Sequence, residues 1–308
     1  MKYKVVFFGS SHHSLPALEA LAANELYEIV GVVSQPDKPV GRKQVMTPTP
    51  VSAWATKNNV ALMTPDSWRK DVAAIERLRE LKADVGVLAI YGKILPQEII
   101  DIFPHGIVNI HPSILPKLRG PAPAVGAILS GEPVSGVAIM LLVQEMDAGP
   151  VLGITEFEVS PVEVPETYYD KGFRLGTELL MELLPKYLNG EIKGTEQDES
   201  QATYTYRLSR DNGKIDWNQS AEEIERMIRA YTPWPGTWTE VFVDNEGNLL
   251  LEKEMAERLN LPVNSGDWDG VHKMRMKVLS AVLEENELDL DMVQMEGEKP
   301  VAFHDLVK

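Results

Sequence analysis

The chain has 308 residues, 44% of them hydrophobic and 25% charged, with no cysteine. That composition excludes a disordered chain, a disulfide framework, a thiolate nucleophile and any Cys-ligated zinc or iron–sulfur site. Thirty basic against 46 acidic residues give a net charge of -16, the opposite of what a phosphate-rich partner attracts. The length favours two domains over one. The apolar run from Val5 to Phe8 is far below the roughly 18 residues of a membrane span, and no A-x-A-like cleavage site marks a signal peptide. A soluble protein of a reducing cytoplasm is expected.

The first two-thirds alternates short apolar runs with helical patterns. Lys4 to Gly9 reads as a strand ending in a glycine turn, and Leu15, Leu18 and Leu21 follow at helical spacing. Next come a strand at 29–33, a helix at 51–57, a short strand at 62–63, a helix at 73–81 and a buried strand at 84–90. Strands at 107–110, 136–143 and 151–159, with helices at 124–129 and 167–188, complete a domain over 1–190. This alternation predicts a Rossmann-like α/β domain, a mostly parallel sheet with helices on both faces. Residues 191–203 are polar and without periodicity, and read as a linker. Beyond them, Ser220-Ala221-Glu222-Glu223 is a capping box opening an amphipathic helix that runs to Ala230. Strand-like segments at 238–243, 249–251 and 274–283 then predict a small, mainly β domain over 204–308, an OB-like barrel.

The densest cluster of reactive residue types is Asn109-Ile110-His111-Pro112-Ser113. Asn109 and His111 sit two apart at the end of a buried strand, so they share a face, and ligand sites in open α/β sheets lie beyond the carboxyl ends of strands. Taken alone, the pattern fits equally a histidine that caps a loop. Pro112, Pro116 and Gly120 stiffen the loop that follows, leaving Ser113 and backbone amides to grip a ligand. Asp147, in the Met146-Asp147-Ala148-Gly149 turn between two strands, can orient His111; a lone Asp in such a turn is more often an Asx-turn. There is no G-x-S-x-G and no cysteine, hence no marked nucleophile. Asn and His at a strand end suit instead the stabilisation of an oxyanion in a reaction between two bound substrates.

Other features are weaker. Gly9-Ser10-Ser11-His12-His13 stands where a dinucleotide fingerprint would, but it lacks G-x-G-x-x-G, and no phosphate-binding P-loop occurs. His12 and His13 are neighbours whose further metal ligands the sequence does not mark, so a solvated loop is expected. Residues 36–50 form a long basic connection that either clamps an anion or is an ordinary proline-stiffened loop.

The stretch from Asn109 to Gly120, with Met146-Asp147-Ala148-Gly149 downstream, resembles the signature of folate-dependent formyltransferases. The resemblance implies a catalytic trio of Asn109, His111 and Asp147. Ser113-Ile114-Leu115-Pro116 is similar to the family's S-L-L-P folate loop, with Ile for the first Leu. The pterin pocket is then expected from the backbone of Leu88, Ala89, Ile90, Tyr91 and Gly92, from Ser113, Ile114, Leu115 and Pro116, and from Val143 to Asp147. Gln35-Pro36-Asp37-Lys38-Pro39-Val40-Gly41-Arg42 resembles the first loop of the branch whose acceptor is methionyl-tRNA. Gly213 to Trp217 and Arg229 to Gly236 resemble the opening of that branch's second domain. The implied reaction moves the formyl group of 10-formyltetrahydrofolate, a co-substrate, to the α-amine of initiator methionyl-tRNA. Lys38, Arg42, Lys43, Lys117 and Arg119 are the expected tRNA contacts. Neither a metal nor a nucleotide cofactor is called for, and a monomer is expected. Two departures bear on the acceptor. His13 stands where the family has an aromatic residue, and the segment after Ser200, with 12 basic and 21 acidic residues, is acidic where the family's second domain is basic. An amino sugar nucleotide is therefore the alternative acceptor.

Overall fold

The computed structural model describes residues 2–41, 43–246, 248–263 and 270–307. Its contacts cluster into two compact units, one made of residues 1–123, 134–158 and 168–205, the other of 124–133, 159–167 and 206–308.

The chain up to residue 188 carries β1 (Tyr3–Gly9), α1 (Leu15–Ala23), β2 (Tyr27–Val33), β3 (Lys38–Val40), β4 (Val45–Thr47), α2 (Pro50–Lys57), β5 (Leu62–Met63) and α3 (Val72–Glu80). These are followed by β6 (Val85–Ala89), α4 (Gln97–Ile100), β7 (Ile107–His111), α5 (Pro123–Ser130), β8 (Val134–Leu141), β9 (Val151–Glu158) and α6 (Pro165–Leu188). Seven strands of the first unit pair in the order β5-β2-β1-β6-β7-β8-β9. The first five are parallel, β8 runs antiparallel to them, and β9, antiparallel to β8, returns to their direction. Alternate residues of β1 face opposite sides. Val5 and Phe7 pack with Leu18, Val51, Phe173 and Leu180 of α1, α2 and α6, while Val6 and Phe8 pack with Ile75, Leu78 and Ile99 of α3 and α4. Burial on both faces explains why these strands read as unbroken apolar runs. A Cβ on Gly176 would stand 2.6 Å from Ile110 and 2.8 Å from Val137, so a hydrogen there lets α6 lie close to the sheet.

Strand order reverses between β1 and β6, because β2 leaves on one side and β7 on the other. The crevice at such a switch point opens at the carboxyl ends of the strands, here at Gly9–Ser10 and Ala89–Gly92, next to the end of β7.

In the second unit, α7 (Ala221–Ala230) begins with the expected capping box: Ser220 Oγ accepts from the Glu223 amide, and Glu223 accepts from the Ser220 amide. There follow β10 (Thr237–Val243), β11 (Leu249–Leu250), α8 (Lys253–Arg258), β12 (His272–Glu284), β13 (Glu287–Met295) and β14 (Val301–Ala302). The strands form an antiparallel sheet, β11-β10-β12-β13-β14, curled into a half-barrel. Register breaks in β12 between Val278 and Ala281 give the long strand the bend such curling needs. This is the OB-like element expected from the sequence.

Two segments differ from their sequence reading. Residues 36–50 are not a plain loop; β3 and β4 pair as a separate hairpin. Its strands are three residues long and exposed on every side chain, so no burial alternation betrays them. Residues 191–203 are bound to the first unit rather than loose. Thr195 exchanges both backbone hydrogen bonds with Val151, at 2.8 Å each, and the Arg119 amide donates to the Thr203 carbonyl. A short polar strap held by backbone pairing needs no hydrophobic period.

Candidate active site

β7 brings Asn109 and His111 to its carboxyl end on one face. Both are 5% exposed. Leu88 of β6 pairs with Asn109 from one side, and Met140 of β8 from the other. The Asn109 side-chain amide makes no hydrogen bond to any described residue; the buried side-chain polar atoms without a partner among those residues are the Tyr27 hydroxyl and Arg226 Nε, so the amide keeps some contact with solvent. His111 is held from two directions. Its Nε2 lies 3.1 Å from the Leu118 carbonyl oxygen, and its Nδ1 lies 3.7 Å from Asp147 Oδ2. A carbonyl can only accept, so Nε2 carries the proton at that contact.

Because β8 runs antiparallel to β7, the loop leaving β8 must double back to reach His111. Asp147 at its tip takes a positive φ of 50°, a conformation that Asp tolerates better than most side chains. The Gly120 amide donates to Asp147 Oδ2 at 2.7 Å, and Gln197 Nε2 donates to the carbonyls of Asp147 and Gly149 at 2.8 and 2.7 Å. A Cβ on Gly149 would collide with the Leu141 carbonyl, so the turn must pass close to the strand it leaves.

The loop after His111 is fixed in place. Ser113 Oγ donates to the Lys117 carbonyl at 2.7 Å, the Pro112 carbonyl accepts from Tyr168 at 2.9 Å, and Leu115 packs on Ala138, Met140 and Val151. Ser113 is therefore fully buried and engaged within its own loop, and the Ile114 side chain lies over Gly136 of β8. Across the crevice, Ile90 and Gly92 both have positive φ, 47° and 76°, so the backbone turns sharply where β6 ends. The Tyr91 carbonyl accepts from Gln35 Nε2 and Ser10 Oγ. The Tyr91 hydroxyl accepts from Trp68 Nε1, and burial pushes its pKa up to about 12. Val143 is half-buried, after Leu142, whose amide donates to the Ile107 carbonyl.

The expected tRNA contacts divide. Lys38, Lys43 and Lys117 are exposed, and Arg42 lies outside the described residues. Arg119 is 1% exposed and inward-facing, which corrects its assignment to a phosphate-binding surface. Its guanidinium grips Glu199 at 2.9 and 2.7 Å, Gln197 at 3.1 and 2.9 Å and the Tyr204 hydroxyl at 3.2 Å. The hydrogen bond to Glu199 raises the pKa of Arg119, and the same contact lowers that of Glu199. Sequence reasoning missed the Gly120 amide, Gln197 and Glu199. They carry no motif, and the basic Arg119 gives no sign of being turned inward.

The family model described as Formyl transferase matches residues 1–184, and that described as Formyl transferase, C-terminal domain, matches 207–308. The methionyl-tRNA formyltransferase of Chloroflexus aurantiacus is 47% identical over 236 residues, 77% of this chain and 76% of that protein. That of Roseiflexus castenholzii is 40% identical over 308 residues, 99% of this chain and 95% of that protein. Among solved structures, the N-formyltransferase of Helicobacter canadensis with folinic acid and dTDP-3-aminofucose aligns at a TM-score of 0.63 and 18% identity, covering 98% of this chain and 99% of that one. The methionyl-tRNA formyltransferase of Clostridium thermocellum aligns at 0.56 and 15%, covering 96% and 99%. The two structures support the fold. The family matches, together with an Asn–His–Asp cluster at a switch-point crevice, establish that the chain belongs to the formyl transferase family.

Proposed function

We infer that the chain transfers the formyl group of 10-formyltetrahydrofolate to the α-amine of methionyl-tRNA, as a cytoplasmic monomer. Residues 1–190 would serve as the formyl-transfer domain and 204–308 as an accessory domain. The observation that carries the chemistry is the pairing of Asn109, whose amide makes no hydrogen bond to any described residue, with an imidazole braced by a carbonyl and a carboxylate at the same strand end. That is what a site for a developing oxyanion requires, since donors aimed at the charge in advance need no reorganisation.

The amine attacks the formyl carbon, the new C–N bond forms, the bond to the folate nitrogen breaks, and the proton shed by the amine ends on that nitrogen. The Asn109 NH₂ donates to the formyl oxygen as charge builds. His111, whose Nε2–H is held by the Leu118 carbonyl, acts on the same oxygen through Nδ1 when that nitrogen carries a proton. Asp147, held by the Gly120 amide, orients His111 and accepts the proton in transit. The loop Ser113–Pro116 and the Leu88–Gly92 turn fit the folate side of the crevice, because both are rigid and present backbone groups.

The relatives at 40–47% identity bear the acceptor in their names, and the exposed Lys38, Lys43 and Lys117 supply local positive charge for phosphates. The test is formylation by the full chain with methionyl-tRNA and a nucleotide amino sugar in parallel. Faster turnover of methionyl-tRNA is expected, with deacylated tRNA inert. Faster formylation of the sugar amine would overturn the acceptor assignment while leaving the formyl chemistry in place.

A further inference from the structure

The turn after β1 sets two imidazoles side by side. His12 and His13 share one turn of 3-10 helix, His12–Ser14, with ring centroids 3.9 Å apart and planes tilted by 40°. His13 is 6% exposed, its ring stacked on Phe173 of α6 at 6.2 Å and 17°. Its Nδ1 lies 3.1 Å from Oδ1 of Asp170, also on α6. The turn is anchored from behind, since Ser14 Oγ donates to the Ala89 carbonyl at 2.7 Å and the Ser10 amide donates to the Ile90 carbonyl at 3.0 Å. One donor atom from each of His12, His13, Glu166 and Asp170 lies within 4.8 Å of the others.

We propose that His12, His13 and Asp170 form a site for a borderline divalent transition cation, Zn²⁺ or its analogues Co²⁺ and Ni²⁺. Donors about 2.0 to 2.2 Å from one tetrahedral ion stand roughly 3.3 Å apart. The His13–Asp170 spacing is already close to that value. His12 and the carboxylate of Asp170 are exposed, so small χ rotations bring the third donor in, while buried His13 is the fixed point. Two imidazole nitrogens and one carboxylate oxygen select against Mg²⁺ and Ca²⁺, which favour all-oxygen shells. With these three in place, the Glu166 carboxylate is near enough to take the fourth position of a tetrahedral ion. The sequence hides this site because Asp170 is 157 residues from His13, and the fold alone brings α6 against the β1–α1 turn. Formyl transfer as derived above uses none of the three residues, so the cation's role there is to tie that turn, which adjoins the end of β6, to α6.

The full chain, stripped with a chelator and dialysed, is titrated with Co²⁺ while visible d–d absorption is followed, and with Zn²⁺ by calorimetry. One equivalent bound at micromolar or tighter affinity is expected, with a rise in Tm and affinity falling at acid pH as protons compete for the imidazoles. His12→Ala and Asp170→Asn alter exposed side chains and spare buried His13; each should weaken binding at least tenfold and abolish the Zn²⁺-induced rise in Tm. Binding only at millimolar concentration, or undiminished affinity in both variants, would overturn the site.

Discussion

Asn109→Ala separates folding from catalysis. The side chain makes no hydrogen bond to any described residue and is 5% exposed, so truncation breaks no native hydrogen bond. What disappears is the packing of one amide group, about 1 kcal/mol at most. Stability should therefore move by less than about 1 kcal/mol, a Tm change of roughly 2 to 4 °C for a chain of this size. The transition state behaves differently. If the amide donates to the formyl oxygen as charge develops, its removal costs about 10²- to 10³-fold in kcat, or about 2.7 to 4 kcal/mol of barrier. Single-turnover formylation, folate affinity from intrinsic tryptophan fluorescence and thermal unfolding supply the three readouts. The expected pattern is kcat down at least a hundredfold, folate Kd within a few-fold and Tm nearly unchanged. Turnover retained while folate binding weakens tenfold would refute the oxyanion role, as would a Tm drop large enough to account for the missing activity.

Arg119→Met removes the clamp on Glu199, Gln197 and Tyr204. It should cost about 2 to 4 kcal/mol in denaturant unfolding and speed amide exchange at 195–205; unchanged exchange there would show that the strap is held by its backbone alone. Lys38→Glu with Lys43→Glu should raise KM for methionyl-tRNA without altering folate affinity, and should lower the magnitude of the log-log salt slope by about 0.7 to 0.9 for each phosphate that is no longer neutralised; unaltered tRNA kinetics would remove the β3–β4 hairpin from the acceptor surface. Tyr27 has a buried hydroxyl with no hydrogen-bond partner among the described residues, and burial raises its pKa from 10.0 to about 12. Between those values the folded chain keeps a proton that the unfolded chain loses, so its contribution is present below pH 10 and is lost as pH rises toward 12. Tyr27→Phe should leave Tm at pH 7 equal or higher and make its alkaline decline shallower; parallel decline in parent and variant would contradict that assignment.

What could be read in the sequence follows from what each residue faces. Strands β1, β6 and β7 are covered on both sides and announce themselves as apolar runs, and the Ser220 capping box is a purely local signal. Asn109 and His111 stood out because polar side chains at the end of an apolar strand have few structural reasons to be there. The direction of β8 was not legible, since a covered antiparallel strand looks like a covered parallel one. Nor was the support of Asp147, because Gly120 acts through a backbone amide and Gln197 lies 50 residues away in a segment without period.

The net charge of -16 is where sequence and site interact most. Arg119 cannot offset it at the surface, because its side chain is buried and its charge is paired with the exposed Glu199. In the second unit the outward row of β12, Lys273, Arg275 and Lys277, is partly answered as well. Lys273 and Lys214 both pair with Glu240, at 2.8 and 3.1 Å, holding that carboxyl below its usual range, and Arg275 lies 3.9 Å over the Trp238 ring. Lys38, Lys43 and Lys117 are exposed basic side chains of the β3–β4 hairpin and of the loop after β7, and the acidic excess elsewhere limits how far a phosphate contact surface extends beyond them. Few phosphate contacts mean a shallow salt slope and little non-specific RNA binding. For a chain acting on methionyl-tRNA, selection among tRNAs is then expected to come chiefly from recognition of the aminoacyl end rather than from a broad basic surface.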